Sequence, residues 1–179
     1  MTEILDNPDL LSRAYLDLAT IEMGGVALGA PVSDVPRRRV LHADLPAVAR
    51  YRDGTGTDAE YDDAAADRRL TLGEVLDRAA ASDGFLYCAD GLTYKVRAGT
   101  VAGFALHGPQ LAHFAHLTSY EEFLAAFGTP DRVREDDAYG DQLTRTTYYW
   151  RARKCVVWDA GEHRISLINL GDFEGNSGP

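Results

Sequence analysis

The sequence predicts an α+β protein, an antiparallel sheet with helices packed on one face. Three observations point there. Two Ser/Thr-x-x-Glu capping boxes each open a short amphipathic run. Three strand-length runs rich in β-branched and aromatic residues follow each of them. The joints between those runs carry Asp-Gly and Ala-Gly pairs suited to hairpin connections.

Length and charge set the outer bounds. A chain of 179 residues suits one domain, 1–179. At this size about 70% of the unfolded surface is buried on folding, so neither disulfide nor metal is needed. Eighteen Lys+Arg against 28 Asp+Glu give a net charge of −10. Such a field opposes nucleic-acid phosphates and speeds encounter with a basic protein. The same charge also serves solubility. Met1-Thr-Glu-Ile-Leu-Asp lacks the basic and apolar regions of an export signal. No apolar run approaches the ~20 residues that span a bilayer. Cys88 and Cys155 make no disulfide framework. The expectation is a cytoplasmic protein with no membrane and no nucleic-acid partner.

Along the chain, residues 9–23 place Leu10, Leu11, Ala14, Leu18 and Ile21 at helical spacing, with Asp9 as N-cap and Gly24-Gly25 as the stop. Residues 24–68 carry little pattern. Within them, 53–67 hold six acids and no base, which reads as a mobile acidic loop. The span 1–69 is thus an N-terminal helix and loop region. A first helix–β–β–β unit occupies 70–117. Thr71 and Glu74 cap its helix, and strands follow at 85–89, 92–97 and 101–107. Asp90-Gly91 predicts a type I′ turn, and Arg97-Ala-Gly99-Thr100 a longer hairpin. A second unit occupies 118–171. Ser119 and Glu122 cap its helix, an acidic stretch (DRVREDDAYGDQ) follows, and strands come at 144–150, 154–159 and 163–170. Aligned without a gap, Thr71, Glu74, Leu76 and Ala80 fall on Ser119, Glu122, Leu124 and Gly128, as in an internal duplication. Residues 172–179 read as a flexible tail.

The second unit has a short helix ending in Phe127-Gly-Thr-Pro-Asp131, a Tyr/Trp-rich strand, then two strands joined by a Gly turn. This pattern resembles the helix-and-strands unit of the bacterial β-lactamase inhibitor protein and of the small lipoprotein of outer-membrane assembly. The resemblance covers about 50 residues. It implies an antiparallel sheet built from a duplicated unit, in a protein that binds another protein. Members of that family are exported or lipid-anchored, and the inhibitors pair their cysteines. Here one Cys falls in each unit, and no family binding residue has a counterpart. The acidic composition is also similar to small bacterial immunity factors that accompany secreted toxins.

Chemistry-bearing residues are few. His107, His113 and His116 lie within ten residues, and on a helix His113 and His116 would share a face able to hold a metal. No CxxC, HExxH or spaced acid supplies further ligands, so a linker with part-buried histidines is the stronger reading. Arg153 and Lys154 adjoin Cys155, but neighbours on a strand point to opposite faces, and packing explains both cysteines. No phosphate loop, dinucleotide fingerprint or GxSxG elbow is present, and no cofactor is expected.

Aromatics concentrate in the second unit. Tyr148 and Trp150 share one strand face and Tyr149 takes the other. The leading expectation is a protein-binding or inhibitory module for a basic partner. Tyr139, Tyr148, Trp150 and Trp158 would anchor it, and acids at 53–67 and 131–141, including Asp136 and Asp137, would steer. The alternative is a small-molecule-binding or enzymatic protein with a pocket near His107, His113 or His116. A homodimer through an exposed sheet face is a third.

Overall fold

A computed structural model describes residues 1–37, 40–45, 48–52, 72–79, 83–135, 145–151 and 153–173. Short strands Thr2–Glu3 (β1), Ile21–Met23 (β2) and Val26–Ala27 (β3) form a small sheet, with β1 parallel to β2. The remaining strands are Val40–Leu45 (β4), Val48–Arg52 (β5), Gly84–Cys88 (β6), Leu92–Arg97 (β7), Thr100–Leu106 (β8), Arg132–Glu135 (β9), Arg145–Trp150 (β10), Lys154–Asp159 (β11) and Arg164–Gly171 (β12). Among the described residues these nine form one antiparallel sheet in the order β5-β4-β6-β7-β8-β12-β11-β10-β9. Two α-helices, Leu72–Ala79 (α1) and Tyr120–Phe127 (α2), precede β6 and β9. The protein is α+β and strand-rich.

Alternation along the strands assembles the core. Leu92, Tyr94 and Val96 of β7, Phe104 and Leu106 of β8, and Ile168 and Leu170 of β12 are all buried in one cluster. Leu76 of α1 and Phe123 and Phe127 of α2 complete it.

The hairpins exchange the expected turn types. Ala98 and Gly99 both take positive φ between the paired Arg97 and Thr100, which makes the two-residue type I′ turn here. At Asp90-Gly91 only Gly91 is left-handed, and the loop is wider because Gly91 N donates to Cys88 O while Asp90 Oδ1 accepts from Leu92 N.

The N-terminal helix expected over 9–23 does not form. The chain makes 3₁₀ turns at Pro8–Ser12 and Leu18–Thr20 and enters β2 at Ile21. Side chains take the backbone bonds that a helix needs. Asp17 Oδ1 accepts from Ala19 N, and Ser12 Oγ donates to Asp9 O. The Lys154 ammonium donates to the carbonyls of Leu11 (3.0 Å) and Arg13 (2.6 Å). Leu10, Leu11 and Ile21 still reach the core and Leu18 packs against it, through turns and a strand, while Ala14 is exposed.

The tail expected from residue 172 is anchored at its start. Asp172 N donates to Ala102 O, Arg97 pairs with the Asp172 carboxylate, and the Phe173 ring covers Gly103. Residues 53–67, Thr71 and 174–179 lie outside the described residues.

Candidate functional site

The end of the sheet formed by α2, β9 and β10 gathers most of the features that matter for recognition. Ser119 starts α2 with a full capping box: its Oγ accepts from Glu122 N, and Glu122 Oε2 accepts from Ser119 N at 3.0 Å. Thr118 N donates to the same carboxylate oxygen at 2.8 Å. The backbone amides of Thr118 and then Ser119 hold the Glu122 carboxyl below its ordinary range. Gly128 ends the helix at φ +76, its N–H donating to Leu124 O. Asp131 then fixes the exit, because its carboxylate accepts from Arg151 N (2.8 Å) and forms an ion pair with Arg151 Nε (3.2 Å).

Phe123 and Phe127 face the sheet. Phe123 stacks on Trp158 with centroids 5.3 Å apart and meets Tyr148 at 5.1 Å, while Phe127 meets Trp150 at 6.1 Å. Burial of Tyr148, Trp150 and Trp158 in this core corrects their expected role. An anchor must reach its partner, and these three side chains are spent on α2. Tyr148 and Trp150 do share one face, with Tyr149 on the other, and α2 covers the face of Tyr148 and Trp150. Tyr149, on the opposite face, is buried as well, beneath the Arg132 guanidinium at 4.2 Å. Tyr139, Asp136 and Asp137 lie outside the described residues.

Two other apolar side chains are exposed at this end. Tyr120, on the first turn of α2, is 44% exposed, and Val133 of β9 is 50% exposed. Register places Val133 opposite Tyr148, hence on the α2 side, and the Tyr120 ring lies 5.8 Å from that of Tyr148. Burial, and after it a hydrogen bond with Tyr120, pushes the Tyr148 hydroxyl above the ordinary phenol range.

β9 itself is exposed at all four residues. Among the described residues it pairs with β10 alone, so it is a sheet edge. Its backbone orientation follows from β11. Gly171 N donates to Arg153 O, so odd-numbered backbone groups of β11 face β12 and even-numbered ones face β10. Tyr149 O accepts from Asp131 N (2.8 Å), so the odd-numbered backbone groups of β10 face β9, and the register sets Thr147 and Tyr149 opposite Arg134 and Arg132. Val133 and Glu135 therefore turn their N–H and C=O groups outward. The side chains sort by face: Val133 and Glu135 beside α2, Arg132 and Arg134 on the other.

The histidines do not converge. His107 Nε2 lies 2.9 Å from Thr93 Oγ1 on the sheet. His113 Nε2 pairs with Asp9 Oδ1 at 2.7 Å, and His116 Nδ1 lies 3.0 Å from His113 O. His113 and His116 sit at the end of the 3₁₀ turn Gly108–Phe114, their ring centroids 6.3 Å apart. Among the described residues no group of three or more His, Cys, Asp or Glu could hold a metal. Leu111, Phe114 and Leu117, in and just after the same turn, are buried in the core. Cys88 lies in the core and Cys155 on the face away from α2, both buried and without a disulfide.

Sequence reasoning missed Tyr120, the β9 edge and Lys154. The Arg-Val-Arg-Glu alternation was a readable signal, masked by the acids that follow it. Lys154 is 0% exposed, held by two backbone carbonyls and by the rings of Trp150 (4.6 Å) and Phe127 (5.3 Å). Burial lowers its pKa to about 7. No helix of the described residues is long and apolar enough to cross a membrane. Comparison with protein-family models, characterised proteins and solved structures finds no match.

Proposed function

We propose that the protein is a protein-binding module of inhibitory, immunity-type character, and that it docks its partner at the α2–β9 end of the sheet. The observation that carries this reading is that two exposed apolar side chains, Tyr120 and Val133, both neighbour Tyr148 at a sheet edge with outward backbone groups. Aromatic residues and open strand edges are what protein partners use for affinity. The net charge of −10 favours a basic partner, because the summed field acts on encounter before any contact is made. The orders α1–β6–β7–β8 and α2–β9–β10–β11–β12 support a duplicated helix-and-strands unit, with β9 an extra strand in the second copy. That is the architecture implied by the resemblance to the β-lactamase inhibitor protein.

Affinity capture from the source-cell extract, at low and moderate salt, tests the proposal. Wild type is compared with a Tyr120→Ala/Val133→Asp double variant whose thermal unfolding is checked first. Both substituted side chains are solvent-exposed, so the fold should tolerate the changes. A basic protein retained by wild type, weakened by salt and lost with the folded double variant supports the reading. Equal retention by both proteins removes this site.

A further inference from the structure

We infer that β9 binds an extended peptide segment by antiparallel strand addition, and that the segment alternates acidic residues with an apolar one. This inference rests on the binding-module reading and names the chemistry of one segment of the partner, locally acidic to match Arg132 and Arg134 within a protein that is basic as a whole. Val133 and Glu135 each turn one N–H and one C=O outward, so an added strand finds two donors and two acceptors in line. In an antiparallel pair, residues directly opposite share a face and interact. A residue opposite Val133 lands on the side of Tyr120 and gains apolar contact. Residues opposite Arg132 and Arg134 land on the cationic side, where carboxylates are favoured and cations repelled. The residue opposite Glu135 is favoured as a cation. Read along the incoming strand, the complementary order is Lys-Glu-Val-Glu.

The same arginines argue against a second copy as the occupant. Each face-preserving register that pairs more than one β9 residue of the two copies, Val133 opposite Val133 or Arg134 opposite Arg134, sets Arg132 or Arg134 opposite an arginine of the other copy. Short, charged edges discourage pairing of identical strands. Here the charge that discourages self-pairing also selects an acidic strand.

The test uses the full chain and a capped hexapeptide, Thr-Lys-Glu-Val-Glu-Thr, titrated to millimolar concentration and followed by backbone amide NMR. Its control has both glutamates replaced by lysine. The expected result is saturable shifts at the Val133 and Glu135 amides, slowed exchange of both, and at least tenfold weaker binding of the control. Val133→Pro removes one outward N–H and leaves the β10 ladder intact, since proline is tolerated where an edge N–H faces solvent. Val133→Ala keeps that N–H and removes most of the side chain. Proline should abolish saturable binding, whereas alanine should weaken it several-fold. Equal binding of both peptides, shifts away from β9, no shift at all, or proline binding like alanine overturns strand addition. A concentration-dependent dimer broken by Val133→Pro would give the edge to a second copy and likewise overturn it. If the captured partner is lost with Tyr120→Ala/Val133→Asp but kept by Val133→Pro, strand addition fails while the binding-module reading stands.

Discussion

Replacing Lys154 by methionine should remove a pH dependence of stability that wild type shows between pH 7 and 9. The ammonium is fully buried, no carboxylate is among its partners in the described residues, and burial lowers its pKa from 10.5 to about 7. The unfolded chain keeps this proton up to about pH 10.5 and the folded chain only to about pH 7. In between, the unfolded state binds more protons, so raising the pH stabilises the fold. Each unit within that window is worth about 1.4 kcal/mol. From pH 7 to pH 9 the two-state linkage amounts to about 2 kcal/mol, and below pH 7 it levels off because both states are protonated. Tyr148 acts in the opposite sense: its raised pKa removes stability once the unfolded phenol ionises near pH 10, which sets the upper limit of the scan. The substitution also leaves the Leu11 and Arg13 carbonyls without their donor, at about 1–3 kcal/mol each. That cost does not vary with pH, so the shape of the profile isolates the charge. Urea unfolding of wild type and Lys154→Met at pH 6, 7, 8 and 9 reads it directly. Parallel profiles for the two proteins would refute the reasoning.

Three further outcomes test the packing account. Ser119→Ala removes the N-cap of α2 and should cost about 1 kcal/mol, seen as a fall in Tm of about 2–4 °C; an unchanged Tm would mean the cap does not limit stability. Phe123→Ala empties the space between Tyr148, Trp150 and Trp158 and should cost about 3–5 kcal/mol, with a red shift in tryptophan emission. A loss below 1 kcal/mol in urea unfolding would contradict the docking of α2. Ala98 holds φ +48 in the type I′ turn, so Ala98→Gly should relieve strain and stabilise by about 0.5–1 kcal/mol by thermal denaturation; destabilisation would refute that turn geometry.

Legibility in the sequence follows how local each cause is. The strands Leu92–Arg97 and Lys154–Asp159 were read at their observed bounds because β-branched and aromatic runs end at turn residues. The cap at Ser119 was readable for the same reason: all its bonds lie within four residues. The expected N-terminal helix failed against local rivals at Asp17 and Ser12 and against one distant rival. Lys154 reaches Leu11 O across 143 residues of sequence, and no local pattern reports that. Alternation correctly separated Tyr149 from Tyr148 and Trp150, but it does not say which face a helix will cover. β4 and β5 went unread because residues 40–52 lack a clear alternation bounded by turns. β9 is short and charged, so the following acids drew it into a loop reading. At the site, only the neighbourhood was legible: the second unit was chosen, and its buried rings were named in place of Tyr120 and Val133.

The central claim is tested most directly by hydrogen–deuterium exchange on the protein alone and in complex with its captured partner. The expected result is protection confined to the Val133 and Glu135 amides and to the first turn of α2. Protection at the Thr93–His107 face instead, with β9 exchanging as in the free protein, would contradict it.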